Sequence, residues 1–504
     1  MAEIRVLSNK EKAREKINVF HDSSSNWINL IKELIGNSID VFDDGLLHNI
    51  FIEIVSNKKI IYQDDGCGIP LEEVASNGIP NYEAIFETDF AGSRYGKEGA
   101  TVGQNGVFFW TLAMTSENME VEVGRPNGKV YKIAYHKGDR LYDLKEVGIT
   151  DKTYTKVIFS PDEEVWTNVN YTFEEIDNIC DAQASQSNMK ITLKEGEKIK
   201  EYQYSDGIKG YFDSKTSNKS FISDTIHINK ATFQFVEILK QNFDVDIDLV
   251  MRFSNDSEED FKKDFLNTAD LIKYGSIKDG VITGLKNSIN RFLKDNNMYD
   301  KKEKQITNDD VETGLNYVAN IKSKYVEYVS QSKQATDSQY LKDAIQKVII
   351  ESMTFYFIEN PLEAKKIATQ ILVNKRVREK ADVSRANIKK KLMDKVDGIS
   401  NKIQGLVDCR EYGENSELFI AEGLSALGSL VASRNAKNQA CFPIRGKLLS
   451  TLKVDYDKIF ANDLIMKIIN CLGCGIEVKM KGNKNQVDFD INKLRYGKIM
   501  IATD

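Results

Sequence analysis

The sequence predicts a multidomain α+β protein, on three observations. The chain has 504 residues, too many for a single hydrophobic core, so two to four domains are expected. The first two hundred residues mix helical and strand-like apolar patterns, and the pattern changes near Gly207. A third unit with a new strand pattern starts near Asp408. We therefore predict domains at 1–206, 207–395 and 396–504.

The composition is that of an ordinary soluble globular protein, and it excludes several classes of function. Hydrophobic residues make up 41% and charged residues 29% of the chain. The net charge of −7 excludes a nucleic-acid footprint over the whole surface, so any DNA contact needs a local basic patch. The start lacks the apolar core of a signal peptide, and no apolar run is long enough to span a membrane. We expect a cytoplasmic protein with no membrane partner and reduced cysteines.

The first domain is predicted to be an α/β sandwich. Residues 27–42 have the apolar spacing of an amphipathic helix. Residues 50–55 and 59–63 form a strand pair around a polar turn, and 120–123 and 156–159 alternate as strands do. A helix packed on antiparallel strands leaves one open sheet face, where a ligand is expected.

The remaining two domains are predicted in coarser outline. In the second, 235–250 is predicted as β structure and 282–292 as helix. Two long amphipathic helices follow, at 341–357 and 363–392, with a break at Pro361. The second of them is rich in Lys, Arg and Ala, and we predict a solvated connector there. The third domain is predicted to contain strands at 418–421 and 498–502 with a helix between them.

Two short segments of the first domain carry candidate chemistry. Glu33 and Asn37 are four residues apart, so on a helix they share one face. There a carboxylate can activate a water and an amide oxygen can hold Mg²⁺. Asp64 opens an Asp-x-Gly-x-Gly turn that brings the backbone close to a planar ligand, and its carboxylate can accept from an exocyclic amine. Each segment alone is also typical of a polar helix face or a simple turn.

In this order, the two segments resemble the GHKL (Bergerat) ATPase fold, which is shared by gyrase, MutL, heat-shock chaperones and histidine kinases. The resemblance implies ATP as ligand and Mg²⁺ as cofactor, with Asp64 contacting adenine and Glu33 acting on the attacking water. Asn37 is the implied Mg²⁺ ligand. The remaining nucleotide contacts implied by the turn are Gly66, Gly68 and Ile69.

The glycine-rich stretch at 95–107 is similar to the ATP lid of type IIA topoisomerases. Glycines let backbone N–H groups approach phosphate oxygens, and the following helix contributes its positive N-terminus. Two residues depart from the family pattern, since Phe108 replaces a glycine and Cys67 replaces an arginine. The family also implies that the Thr155 hydroxyl supports Asp64. The implied phosphate-binding residues are Lys97, Gly103, Gln104, Asn105, Gly106 and Val107.

The second domain resembles the ribosomal-S5-like transducer domain of the same enzymes. The resemblance rests mainly on Gln331-Ser332-Lys333, which is similar to the Gln-Thr-Lys loop that reaches the ATP site in that family. The resemblance implies that Gln331 contacts the nucleotide and that Lys333 neutralises γ-phosphate charge. A polar surface loop is the local alternative.

The third domain resembles part of a Rossmann-like TOPRIM domain. The stretch 417–426 is similar to its opening, and the resemblance implies that Glu422 and Asp504 are Mg²⁺ ligands. Leu424 replaces an acidic residue, and the second Asp and the nucleophilic tyrosine domain do not appear. We therefore do not expect this chain alone to cleave DNA. The end at Asp504 suggests either a truncation or a natural split, as in T-even phage enzymes, whose start the N-terminus also resembles.

GHKL, transducer and TOPRIM in succession is the layout of the ATPase subunit of a type IIA topoisomerase. The resemblance implies ATP-driven closure of a homodimer around duplex DNA, and a partner subunit that carries the catalytic tyrosine. A separate subunit completing the TOPRIM domain is a further implied partner. The alternative is a divergent GHKL–TOPRIM ATPase with a regulatory or defence role that does not perform strand passage.

Overall fold

The computed structural model describes residues 5–20, 27–91, 106–255, 260–273, 275–329, 333–397, 403–445, 462–475 and 489–502, with side chains omitted at 384–397. The chain divides into two compact units, 1–375 and 376–504, which are described separately. Within the described residues, no helix combines the length and apolar character needed to cross a membrane.

The first unit begins with an eight-stranded sheet covered by helices. The strand order is β5-β4-β3-β6-β2-β1-β7-β8, in which β1 and β7 are parallel and the other neighbours antiparallel. The strands are β1 (Asn49–Ser56), β2 (Lys59–Asp64), β3 (Ser116–Gly124), β4 (Lys129–His136), β5 (Asp139–Ile149), β6 (Tyr154–Pro161), β7 (Lys190–Glu195) and β8 (Lys198–Tyr202). The helices are α1 (Asn9–Glu15), α2 (Ile17–Phe20), α3 (Asn29–Asp43), α4 (Asn81–Glu87), α5 (Phe108–Thr115) and α6 (Phe173–Ala184).

Helix α3 positions the candidate site because its two faces differ. Its apolar residues Leu34, Ile35 and Ile39 are buried in the core of this sheet, as their spacing predicts. Glu33 and Asn37 are half-buried on the opposite side of the stripe. The structure confirms the helix and the β1–β2 hairpin in nearly the predicted residues.

A second sheet of five strands completes the first unit. Its order is β12-β11-β13-β10-β9, with β11 and β13 parallel. The strands are β9 (Ile226–Val236), β10 (Gln241–Phe253), β11 (Lys262–Leu266), β12 (Ala269–Leu271) and β13 (Leu315–Ser323). The helices are α7 (Ile208–Lys215), α8 (Ser276–Asp295), α9 (Asn308–Glu312), α10 (Gln339–Glu359) and α11 (Pro361–Asp397). The sheet has its own core beneath α8 and α10.

Helix α11 corrects one prediction. Its first half is not a solvated connector, because Ile367, Ile371 and Leu372 are buried in the second core. Lys375 is fully buried and donates to Glu303 at 3.0 Å. The composition of the whole segment hid an apolar stripe that occupies its first four turns. The break before Pro361 is confirmed.

The second unit contains a three-stranded parallel sheet in the order β15-β14-β16. Its elements are β14 (Gly413–Glu422), α12 (Gly423–Ser433), β15 (Gln439–Ile444), α13 (Asp463–Leu472), a 3₁₀ turn (Ile491–Lys493) and β16 (Tyr496–Ala502). Parallel strands alternating with helices agree with the predicted Rossmann-like arrangement. The three-domain division at 206/207 and 395/396 stays a prediction.

Candidate nucleotide site

The two predicted chemical segments meet at the sheet face beneath α3. Glu33 and Asn37 lie on α3, and Asp64 ends β2. Ser38, the residue after Asn37, donates to Asp64 Oδ2 at 3.1 Å, which ties the helix to the turn. Residues separated by about thirty positions therefore converge on one half-buried site.

The Asp64 turn depends on its two glycines. The Gly66 N–H donates to Asp64 Oδ1 at 3.0 Å, and a Cβ at Gly66 would lie 2.9 Å from that oxygen. Gly68 has φ +73°, and a Cβ there would lie 2.5 Å from the Gly124 carbonyl oxygen. The backbone can follow this path only without side chains at both positions. Ile69 follows, half-buried against the first core.

Asp64 has a perturbed acidity. Burial raises the pKa of Asp64 to about 6, against lowering contributions from the Gly66 N–H, the Ser38 hydroxyl and the Thr155 N–H. The carboxylate is ionised at neutral pH and presents further acceptor capacity to a ligand. In the structure the Ser38 hydroxyl and the Thr155 N–H donate to Asp64, and the supporting role that the family pattern gives to the Thr155 hydroxyl stays a prediction.

Arg125 is a functional candidate that sequence reasoning missed. Its guanidinium donates to the carbonyl oxygens of Cys67 at 3.0 Å and Gly68 at 2.7 Å. Glu72 and Glu73 each accept from the same guanidinium at 2.8 Å. The arginine thus clamps the outer side of the Asp64 turn. Its segment, Arg-Pro-Asn-Gly, indicates only a turn in the sequence, so no local signal could have revealed the role.

Lys333 reaches the site from a distant part of the chain. Its Nζ donates to Glu33 Oε1 at 3.0 Å and Oε2 at 3.2 Å, across a separation of 300 residues. Both side chains are largely shielded, with 13% and 25% exposed. The Lys333 backbone has φ +55°, an uncommon conformation for a lysine. The structure therefore brings the predicted base and the predicted phosphate-binding lysine into contact.

The end of the glycine-rich stretch leads directly into α5. Gly106 has φ +57°, and its carbonyl accepts from the Ala91 N–H at 2.9 Å. Val107 is the N-cap residue of α5 and provides no side-chain cap, so the first N–H groups of the helix have no acceptor from it. Such an N-terminus suits an anion. Phe108 begins the helix and packs against Phe109.

Several predicted site residues lie outside the described residues. They are Lys97, Gly103, Gln104, Asn105, Gln331 and Asp504. Glu422 is exposed at the end of β14, in the second unit. Among the described residues, no group of three or more His, Cys, Asp or Glu side chains could hold a metal. The Asn37 amide oxygen is nevertheless of the hard-donor type that suits Mg²⁺ held jointly with phosphates.

Comparisons with known proteins identify a family to which the whole chain is similar. A family model described as DNA gyrase B matches residues 207–387. The chain is 31% identical to the DNA gyrase B protein of Halalkalibacterium halodurans, over all of this chain and 77% of that protein. It is 30% identical to the DNA gyrase B protein of Enterococcus faecalis, over all of this chain and 76% of that protein.

Solved structures show the same fold at lower identity. The 43K ATPase domain of Thermus thermophilus gyrase B, solved with an aminocoumarin, superposes with a TM-score of 0.59 and 21% identity, covering 76% of this chain and all of that one. The ATP-binding domain of topoisomerase IV from Francisella tularensis, solved with an inhibitor, gives 0.56 and 21%, covering 74% of this chain and 98% of that one.

Proposed function

The chain belongs to the DNA gyrase B family and is an ATP-binding subunit of a type IIA topoisomerase, and we propose that the site between α3 and the Asp64 turn hydrolyses ATP to drive a DNA gate. The observation that carries the proposal is the Lys333–Glu33 ion pair, at 3.0 Å. It joins α3, which carries the predicted base, to the chain segment that follows β13, the last strand of the second sheet in sequence. A change in the contacts of Glu33 can therefore affect both sheets of the first unit.

Each residue has one role in the proposed reaction. Asp64 accepts a hydrogen bond from the adenine amine, and Glu33 orients or deprotonates the attacking water. Glycine-loop N–H groups and the N-terminus of α5 bind phosphate oxygens. Asn37 holds Mg²⁺, which would neutralise phosphate charge when bound. Lys333 stabilises negative charge on the terminal phosphate.

The ion pair also suggests how nucleotide arrival is communicated. A terminal phosphate carries more negative charge than one carboxylate, so it competes with Glu33 for Lys333. Transfer of the ammonium to phosphate frees Glu33 to act on water and pulls the Lys333 segment toward the nucleotide. Because this segment continues into α10, the second sheet shifts relative to the first.

The proposed assembly is a homodimer that closes on ATP around a DNA duplex. A partner subunit with the catalytic tyrosine would supply DNA cleavage. The second unit would act as part of a TOPRIM domain, with Glu422 and Asp504 toward Mg²⁺.

Light scattering with a non-hydrolysable ATP analogue tests this proposal. We expect a stable dimer with analogue and a monomer or loose dimer without it. Lys333→Ala should weaken the shift and slow hydrolysis, since a charge-assisted contact is lost. Lys322→Ala is a matched control, because Lys322 pairs with Asp43 at the far end of α3. A chain that binds analogue normally yet stays monomeric at tens of micromolar, a dimer affinity weaker than about −6 to −7 kcal/mol, would contradict the gate.

A further inference from the structure

A hydrogen-bonded chain of three side chains lies beneath the proposed adenine position. Ser38 Oγ is 3.1 Å from Asp64 Oδ2 and 2.6 Å from the Tyr62 hydroxyl. The Tyr62 hydroxyl is in turn 3.3 Å from the Leu34 carbonyl oxygen. Ser38 and Tyr62 are almost fully buried, with 4% and 1% of their surfaces exposed. The chain therefore runs from the ligand-facing carboxylate into the core.

The number of protons available fixes the direction of this chain. An ionised Asp64 can only accept, so the single Ser38 proton points to Asp64 Oδ2. Ser38 Oγ must then accept from Tyr62, which uses the single tyrosine proton. The Leu34 carbonyl does not depend on Tyr62, since in an α-helix it accepts from the Ser38 N–H. The order with ionised Asp64 is thus Tyr62 to Ser38 to Asp64.

Tyr62 also prevents a competing hydrogen bond. A serine inside a helix commonly turns its hydroxyl back to the carbonyl four residues earlier, here that of Leu34. The Tyr62 hydroxyl is within hydrogen-bond distance of both that carbonyl oxygen, at 3.3 Å, and Ser38 Oγ, at 2.6 Å, and with ionised Asp64 it donates to Ser38. The Ser38 hydroxyl is consequently directed at Asp64.

We infer that Ser38 and Tyr62 are positioning residues that keep Asp64 a pure hydrogen-bond acceptor and so set the preference of the site for a purine with an exocyclic amine. This inference rests on the proposed nucleotide function. The Gly66 N–H engages Oδ1, Ser38 engages Oδ2 and the Thr155 N–H is a third donor, so the acceptor capacity that is left is available to a ligand. An amine at purine position 6 can donate to this acceptor, whereas a 6-oxo group cannot.

When Asp64 is protonated, the same three groups can remain hydrogen-bonded if the direction of donation along the chain reverses. A protonated carboxyl can donate to Ser38, which then donates to Tyr62, and Tyr62 donates to the Leu34 carbonyl at 3.3 Å. It can alternatively donate to a 6-oxo purine. Loss of the Ser38 donor favours protonation, because a hydrogen bond to the charged form is removed. Base preference and proton affinity therefore change together.

The protonation of Asp64 can be distinguished from that of the groups around it. Asp65, on the same turn, raises the pKa of Asp64. Asp65 itself accepts from the backbone N–H groups of His48 and Asn49. Tyr62 and, from α6, Cys180 have pKa values raised by burial and stay neutral through the assay range. Among the described residues, further titratable groups around the turn are the His48 ring, beside Asp65, and the Glu72 and Glu73 carboxylates, which pair with Arg125.

The experiment measures analogue affinity against pH in four proteins. Calorimetry with non-hydrolysable ATP and ITP analogues, between pH 5.5 and 8, is applied to the parent chain, Ser38→Ala, Tyr62→Phe and Ser38→Thr. For Ser38→Ala we expect the midpoint of the ATP-analogue profile to rise by roughly one pH unit. The affinity is then about fivefold weaker than that of the parent at pH 6 and nearly equal at pH 8.

The other variants distinguish loss of the hydrogen-bonded chain from a general loss of structure. Tyr62→Phe should shift the midpoint in the same direction by less, because Ser38 can still donate but is free to turn to Leu34. Ser38→Thr keeps the hydroxyl and should restore the parent profile. The ratio of ATP- to ITP-analogue affinity should fall in Ser38→Ala at neutral pH.

Controls distinguish failure of this inference from failure of the nucleotide site. Asp64→Asn should abolish ATP-analogue binding at every pH of the series, since it places a donor opposite the adenine amine, and His48→Gln should leave the Ser38→Ala displacement in place. If the parent binds neither analogue, the proposed function fails. If the parent binds with the expected profile, but Ser38→Ala weakens binding equally at pH 6 and pH 8, the positioning role is overturned and Ser38 is only structural.

Discussion

Replacing Asp64 with asparagine should stabilise the free protein while abolishing its response to nucleotide. The amide is nearly isosteric with the carboxyl. Its oxygen can accept from the Gly66 N–H, and its NH₂ can donate to Ser38, which then donates to Tyr62. The substitution therefore keeps the hydrogen bonds to Gly66 and Ser38 and removes a shielded charge. It also presents a donor where the adenine amine needs an acceptor.

The size of the stabilisation follows from the pKa of Asp64, which is about 6 against an ordinary value of 3.8. A raised carboxyl pKa means that the folded state binds more protons between these values, so stability falls as pH rises from about 4 to 6. At about 1.4 kcal/mol per pH unit, ionised Asp64 costs up to ~3 kcal/mol at neutral pH. Partial exposure of the carboxylate makes this an upper limit, so we expect a gain of about 1–3 kcal/mol.

Thermal unfolding at several pH values measures this gain. For a unit of 375 residues, the expected rise in Tm is about 1–4 °C at pH 7 to 8, shrinking toward zero near pH 4. An ATP analogue should raise the Tm of the parent chain but not that of Asp64→Asn. A lower Tm for the variant at neutral pH, or equal stabilisation of both proteins by analogue, would refute the reasoning.

The remaining predictions concern the turn around Asp64. Gly68→Ala should lose stability and analogue affinity, because its Cβ would lie 2.5 Å from the Gly124 carbonyl oxygen. The control is Gly78→Ala, which has φ +86° and no atom within 4 Å of the added Cβ, so it carries only the backbone strain. Chemical denaturation should show the smaller loss of stability for Gly78→Ala. Equal losses in the two variants would exclude the clash. Arg125→Lys keeps the charge but loses the paired contacts to Cys67 and Gly68, so calorimetry should show roughly tenfold weaker analogue binding. Unchanged affinity would mean that the clamp does not shape the site.

The parts of the fold and site that sequence could predict are those with local patterns. Helix α3 has a clear apolar period, and the strands flanking its hairpin alternate, so both appear at the predicted residues. Glu33 and Asn37 share a helix face because their spacing alone requires it. Pro361 marks a real break for the same local reason.

The parts that sequence could not predict depend on distant partners. Ser38 is a small residue on a helix and Tyr62 an ordinary strand residue until folding places their hydroxyls 2.6 Å apart. Arg125 lies 57 residues from the carbonyl of Gly68 that it binds. The error at α11 has another cause, since averaging over a long charged segment concealed the short buried stripe around Ile371. Tertiary packing decides such positions.

The most direct test of ATP hydrolysis at this site is the turnover of Glu33→Ala measured beside its nucleotide binding. The control is Glu53→Ala, which removes a carboxylate on β1 that pairs with Lys194. We predict Mg²⁺-dependent hydrolysis by the parent and the control, and in Glu33→Ala a loss of about 10²- to 10⁴-fold in rate with analogue binding retained. Near-normal turnover in Glu33→Ala would contradict the assignment of Glu33 and, with it, the proposed chemistry.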